Sequence, residues 1–287
     1  MSVKSRLKQY SLIVSSYHFV RSVYQWIFYT HRRRLNVYKT VLVNFSLLPF
    51  RQACRFPIFI YGKVATYRLT GKAIIDAPLR RGMITFGSNT DFFGAPKGGA
   101  MLSIQGTVVF HGQANVSVDY AWDVSGTLEV GHLAYLGNNV RIRCWNHVVL
   151  GDMVVITVDT QIYDTNFHYI RHVETGEVYH RDAPIVVGKY CWIGNRTTLM
   201  KGCRLPDYAT VASNSLVNKD MSVGAPLCPL YAGTPAVLKS SGIIRVFSAD
   251  EERKIQHFFE TNPNAQVYMG EKGLIDEYEE VLRNFLS

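Results

Sequence analysis

The sequence predicts a mainly β protein, a parallel β-helix of hexapeptide coils with helical extensions at both ends. Three observations predict it. From Val187 a branched apolar residue returns every six positions, at Ile193, Leu199, Leu205, Val211 and Val217. Four positions after each of the first five stands a compact residue: Cys191, Thr197, Cys203, Ala209 and Ser215. The same period runs upstream. Ile104, Phe110 and Val116 keep six before a step of eight to Val124; Val130, Leu136 and Ile142 continue it. Another step of eight reaches Leu150, and Ile156 and Ile162 close the run. Six residues is neither a helical period nor the two-residue alternation of a sandwich strand. It is the spacing of short strands around a flat-sided coil, each sending one apolar side chain inward with a compact residue at the corner. Glycine, as in Val187-Gly188 and Ile193-Gly194, suits corners whose backbone angles are awkward for other residues.

The elements divide the chain into residues 1–75, 76–240 and 241–287. The first segment is set apart by charge. It holds thirteen Lys or Arg and no Asp or Glu, whereas the other 18 basic residues face all 22 acidic ones. The formal net charge of +9 therefore belongs to one end. Within it Ile13, Tyr17, Val20, Tyr24, Ile27 and Phe28 recur at helical spacing, with His18, Arg21, Ser22 and Gln25 on the other face. That is an amphipathic helix with a basic side, of the kind that lies in a bilayer interface or packs on its own domain or a neighbouring subunit. Arg21 and His18 interrupt it, so it is too polar to span a membrane. A second apolar region, Val41 to Tyr61, is broken by Arg51, Arg55, Pro49 and Pro57. Arg32-Arg33-Arg34 could track phosphates, but no nucleic-acid-binding signature accompanies it, and no nucleic-acid partner is expected. No cleavable signal peptide is evident. With 47% hydrophobic residues, 17 Tyr and 15 Phe, wholesale disorder is excluded.

After Ile162 the period stops, and residues 164–184 form a loop interrupting the coil. Beyond Lys239 it ceases altogether. Ser248 with Glu251 reads as a capping box opening a helix through about Glu260, and Gly270 to Phe285 offers a second. This tail is acidic. Five cysteines (Cys54, Cys144, Cys191, Cys203, Cys228) without a CxxC pair argue against a disulfide framework and fit a reducing cytosol.

The residues from Ile185 to Lys239 resemble the closing coils of the left-handed β-helix hexapeptide acyltransferases. Within them the chain looks like the sugar O-acetyltransferase branch, with the maltose, galactoside and polysaccharide-modifying enzymes. Carrying the match are WIG at Trp192 to Gly194, NKD at Asn218 to Asp220, AGTPA at Ala232 to Ala236, and DTNFH at Asp164 to His168. The left hand of the helix is what the resemblance implies. So are a homotrimer, with donor and acceptor sites between subunits, and acetyl-CoA as acetyl donor.

Moving an acetyl group from a thioester to a hydroxyl needs a base for the hydroxyl proton, and neutral histidine is available near pH 7. Of the nine histidines, His168 stands in the break of the repeat, where functional residues tend to project from a rigid scaffold. The resemblance places the general base there. Asp164, four positions earlier, orients the imidazole, binds an acceptor hydroxyl, or is a turn residue. The cofactor-binding positions that the resemblance assigns are Asn195, Ser213, Asn218, Lys219 and Lys239, the two lysines against the CoA phosphates. Ala212 and Ser213 replace the usual Gly-Ala pair, and the segment ending at Lys239 is one residue short. Trp192 reads as a packing residue.

Three other functions compete. An N-acetyltransferase of an amino sugar would use the same base and donor site. A zinc carbonic anhydrase, as some hexapeptide proteins are, would gather three histidines with two of them five apart. Here His168 and His172 are four apart, with His147 or His132 to complete the set, and no metal is expected. A β-helix scaffold without catalysis is the third. The expected function is direct acetyl transfer from acetyl-CoA to a sugar in polysaccharide or glycan assembly. The expected place is the cytoplasm, with residues 1–40 resting on the inner face of the membrane.

Overall fold

The computed structural model describes residues 29–30, 33–88, 99–246 and 249–270. The helix expected over residues 13–28, Ser248 of the capping box, and all but the first residue of the helix expected from Gly270 lie outside the described residues. The chain divides into two compact units at Ile243 and Ile244.

The first unit is a parallel β-helix with three sheets, visited in turn by the chain. Rungs of the first sheet are Ile58–Ile60, Ile84–Phe86, Ala114–Val116, Ala134–Leu136, Val155–Ile156, Trp192–Ile193, Thr210–Val211 and Leu230–Ala232. The second sheet stacks Val64–Leu69, Ala100–Ile104, Ala121–Val124, Arg141–Cys144, Gln161–Tyr163, Thr198–Met200 and Leu216–Val217. The third stacks Lys72–Ile75, Thr107–Phe110, Thr127–Val130, His147–Leu150, Ile185–Val187 and Arg204–Leu205. Val237–Ser240 then returns antiparallel along Leu230–Ala232.

The period-six residues line the interior, and the compact residues Cys191, Thr197, Cys203, Ala209 and Ser215 are buried at its corners. The steps of eight have a structural cause. In the second sheet Trp122 and Val124 both point inward, as do Ile142 and Cys144, so the apolar phase shifts by two in that strand. Gly194 serves a different purpose from the one its corner position suggests. A Cβ there would stand 2.5 Å from the amide nitrogen of Ser213 in the next coil, so the residue is small because the coils approach closely. Left-handed backbone falls instead on other residues: on Asp119, Asn139, Asp159 and Asn214, types that tolerate it, but also on bulkier side chains such as Leu133, Met153, Tyr190, Arg196 and Tyr208. Asn139 Nδ2 donates to Asp159 Oδ1 at 2.7 Å.

The coil ladder starts at Ile58, upstream of the boundary that charge suggests at residue 75. Basic side chains there (Lys63, Arg68, Lys72) point outward while Ile58, Ile60, Val64 and Ile75 turn in, so charge does not mark the end of the fold. Beneath this first coil lie helix α1 (Val37–Leu47) and the short helix α2 (Phe50–Ala53). An edge strand leaves amide and carbonyl groups unpaired. Thr40 and Asn44, one helical turn apart, cover this one: Thr40 Oγ1 accepts the Ile60 amide at 3.0 Å, and Asn44 Nδ2 donates to the Ile58 carbonyl at 2.7 Å. No helix among the described residues is long and apolar enough to cross a membrane.

The second unit contains helix α3 (Ala249–Thr261). Asp250, Glu251 and Glu252 sit in its first turn, where the helix dipole favours acids. Phe258 packs on Tyr268 with ring centroids 5.1 Å apart.

Candidate active site

The site begins where the coil is interrupted. At the corners after the second-sheet strands Ala100–Ile104 and Ala121–Val124, two successive amides donate to one carbonyl of the coil above. Gln105 and Gly106 donate to the Val124 carbonyl at 2.8 and 3.0 Å, and Ser125 and Gly126 to that of Cys144 at 2.8 and 2.9 Å. The next pair, Trp145 and Asn146, should find the carbonyl of residue 164, but the chain departs there into its long loop. The Asp164 side chain takes over. Its Oδ1 accepts the Trp145 amide at 2.8 Å and its Oδ2 that of Asn146 at 2.7 Å. Asp164 is wholly buried, and burial pushes its carboxyl above the usual range against the pull of those amides. No hydrogen bond among the described residues joins it to the His168 imidazole. By accepting the two amides, Asp164 anchors the loop.

His168 itself is exposed. Its backbone is held: the His168 amide donates to the Asn166 carbonyl at 2.7 Å and that of Phe167 to Thr165 Oγ1 at 3.0 Å. Phe167 adopts φ +64°, unfavourable for a bulky residue. Its ring is wedged edge-on against Trp145 (5.6 Å) and Tyr163 (6.0 Å). The loop continues as a short hairpin of Ile170–Arg171 with Val178–Tyr179. It is tied back by the Arg181 guanidinium, 5.1 Å over the Trp145 ring, and by Asn146 Nδ2 donating to Asp182 at 2.8 Å.

Along the outer face of the second sheet runs an open groove of about 500 Å³. Its floor is the row Ser103, Asp123, Arg143, in register across three coils, with the Arg143 guanidinium donating to the Asp123 carboxylate. Tyr67, Arg68, Gln105 and Trp145 form much of its rim. Sequence reasoning did not single these out. The available signal was the step of eight, which marks strands with one outward residue between two inward ones.

The remaining predicted positions fall on neighbouring corners of the last coils. Asn195 and Ser213 occupy successive layers of one corner, tied by the Asn214 amide donating to the Asn195 carbonyl at 2.9 Å. Asn218 and Lys219 are exposed at the next corner, on the edge from which the His168 loop departs two coils earlier. Lys239 lies exposed in the returning strand Val237–Ser240. Neither lysine forms an ion pair among the described residues. Trp192 is 38% exposed rather than packed inside.

The residues that a zinc site would recruit are engaged separately. His132 is buried, its Nδ1 accepting the Gln113 amide at 3.0 Å, and desolvation holds its pKa low. His147 Nε2 lies 2.7 Å from Glu129, and His172 Nδ1 accepts the Thr175 amide at 3.2 Å. No group of three or more His, Cys, Asp or Glu among the described residues could hold a metal ion. Burial pushes the Cys203 thiol up to about 12 and those of Cys144 and Cys191 higher still, so none of the three is a ready nucleophile.

No family model and no curated protein matches the chain. Among solved structures, the polySia-specific acetyltransferase NeuO superposes with a TM-score of 0.50 at 16% identity, over 74% of this chain and 85% of that one. The polysialic acid O-acetyltransferase OatWY matches over 68% of this chain and 85% of its own, at 16% identity and a TM-score of 0.35. A hexapeptide-repeat acetyltransferase from Vibrio cholerae, complexed with acetyl coenzyme A, aligns at 25% identity over 47% of this chain and 70% of that chain, with a TM-score of 0.39. The likeness to the first is one of fold, and the fold is the left-handed parallel β-helix.

Proposed function

We propose that this chain, which shares the fold of the hexapeptide-repeat acetyltransferases, is an acetyl-CoA-dependent O-acetyltransferase acting on a sugar hydroxyl. The observation that carries the reading is Trp145. It lines the groove and also packs the Phe167 ring, so an acceptor in the groove meets the segment that presents an exposed imidazole. The groove suits a sugar, with aromatic faces (Tyr67, Trp145) beside hydroxyl, amide and carboxylate groups (Ser103, Ser125, Gln105, Asp123).

His168 takes the proton of the acceptor hydroxyl as its oxygen attacks the thioester carbonyl. The carbon–sulfur bond breaks, and the CoA thiolate leaves with the proton from the imidazolium, so no covalent enzyme intermediate is needed. Asp164 acts as a positioning residue by anchoring the loop. Asn195, Ser213, Asn218, Lys219 and Lys239 hold the donor, the free cations Lys219 and Lys239 meeting the CoA phosphates. Three copies assemble, with each site between neighbours, and the enzyme modifies glycans at the cytoplasmic face of a membrane.

The test is release of free CoA thiol over a panel of sugars. His168→Ala should lower turnover by about 10²–10⁴-fold with acetyl-CoA affinity unchanged. Undiminished turnover sinks the assignment, and a product resistant to mild alkali would be an amide instead of an ester.

A further inference from the structure

Within the basic first 75 residues, helices α1 and α2 show where apolar surface meets charge. α1 turns Thr40, Val43, Asn44 and Leu47 into the fold. Its other side leaves Tyr38 70% and Phe45 42% exposed, with Val37 and Val41 also exposed, and Phe50 of α2 is 73% exposed. These side chains form an assembled patch: the Phe45 ring lies 5.9 Å from both Phe50 and Phe56. Exposed cations adjoin it in sequence, Arg34 before α1 and Arg51 and Arg55 after it. None of the three forms an ion pair among the described residues.

We infer that this α1–α2 face docks on an anionic lipid surface, the aromatic cluster entering the bilayer interface while Arg51 and Arg55 meet lipid phosphates. Aromatic rings flanked by arginines suit the boundary between headgroups and acyl chains. Charge selects the occupant. A segment with thirteen bases and no acid calls for an anionic counter-surface, and a two-fold pairing with a second copy would set like charges against one another. This deepens the membrane part of the proposed function and moves the contact from residues 1–40 to the folded face of Val37–Leu47 and Phe50–Ala53. It does not depend on the transferase chemistry.

Cys54 supplies the probe, because it is exposed at the end of α2 while Cys144, Cys191, Cys203 and Cys228 are buried. The full chain carrying a polarity-sensitive maleimide dye on Cys54 is mixed with vesicles of phosphatidylcholine, with or without phosphatidylglycerol. The expected result is a blue shift with the anionic vesicles only, reversed by salt. Phe45→Ser combined with Phe50→Ser should weaken vesicle binding about tenfold or more, with the thermal melt and CoA-thiol release unchanged. Arg51→Glu with Arg55→Glu, which leaves the apolar contacts intact, should do the same. The inference is overturned if the unmodified chain does not bind, or if both double variants bind as tightly as it does, which would assign binding to another segment. It also falls if the dye stays insensitive while the aromatic variant dissociates a larger assembly, which would make the face a contact between copies. Lipid binding and thiol release are read separately, so either reading can fail alone.

Discussion

At the scale of single residues, Asp164 illustrates how an interruption in a repetitive fold is tolerated. Two amides that the two preceding coils satisfy from a carbonyl above would be orphaned by the loop, and buried orphan amides are costly. A carboxylate offers two acceptors at the spacing the two amides need. Asparagine offers one acceptor and turns an NH2 group toward the other amide. Asp164→Asn should therefore lower unfolding free energy by about 1–3 kcal/mol, read from denaturant melts. If Asp164 instead bound the acceptor, the variant would raise the acceptor KM and leave the melt unchanged. The left-handed Phe167 is a complementary case, a strained residue kept in place by its ring contacts.

At the scale of elements, the loop of residues 164–184 and the groove are coupled through one side chain. Trp145 is gripped by Phe167 on its edge and by Arg181 over its ring. Trp145→Ala releases Phe167 from its wedge, so its left-handed backbone can relax and carry His168 away. The expected outcome is a fall in kcat of about ten- to hundredfold with the KM for acetyl-CoA unchanged, measured by thiol release. A fall in donor affinity of the same size would show that the loop belongs to the donor site. The loop was legible in the sequence because it breaks a period that inward-facing positions must obey. The groove was not, because outward residues obey no such constraint. Ser103, Asp123 and Arg143 meet only through a coil advance of twenty residues, visible in the pairing of Asp123 with Arg143 but not in the spacing of apolar residues. The first coil escaped for a related reason: Ile60 and Ile84 belong to successive first-sheet rungs, yet the intervening chain keeps no period of six. The roles expected of the donor positions came from motif resemblance, and that of His168 from resemblance together with its place in the break of the repeat.

At the scale of the molecule, a β-helix is quasi-one-dimensional, and each coil is stabilised by the coils on either side. Bonds that cross coils on its surface therefore bear on the stability of the whole. The chief charged example is Glu129, whose Oε2 lies 2.9 Å from His111 Nε2 in the coil below and whose Oε1 lies 2.7 Å from His147 Nε2 in the coil above. Hydrogen bonds from His111 first, then His147, hold the Glu129 carboxyl below the usual range. The sign follows from linkage. A carboxyl with a depressed native pKa contributes stability that is fully present above its unfolded value and lost as pH falls through the native one. Asp164, with its raised pKa, contributes in the opposite sense, so the wild-type curve alone mixes the two. The difference between wild type and Glu129→Gln isolates the clamp, because Asp164 is common to both. Wild type should melt a few degrees higher at pH 7, and the gap should close on acidification below the ordinary glutamate range. A gap that persisted at low pH would mean that Glu129 acts through packing, and the three coils would then owe nothing to its charge.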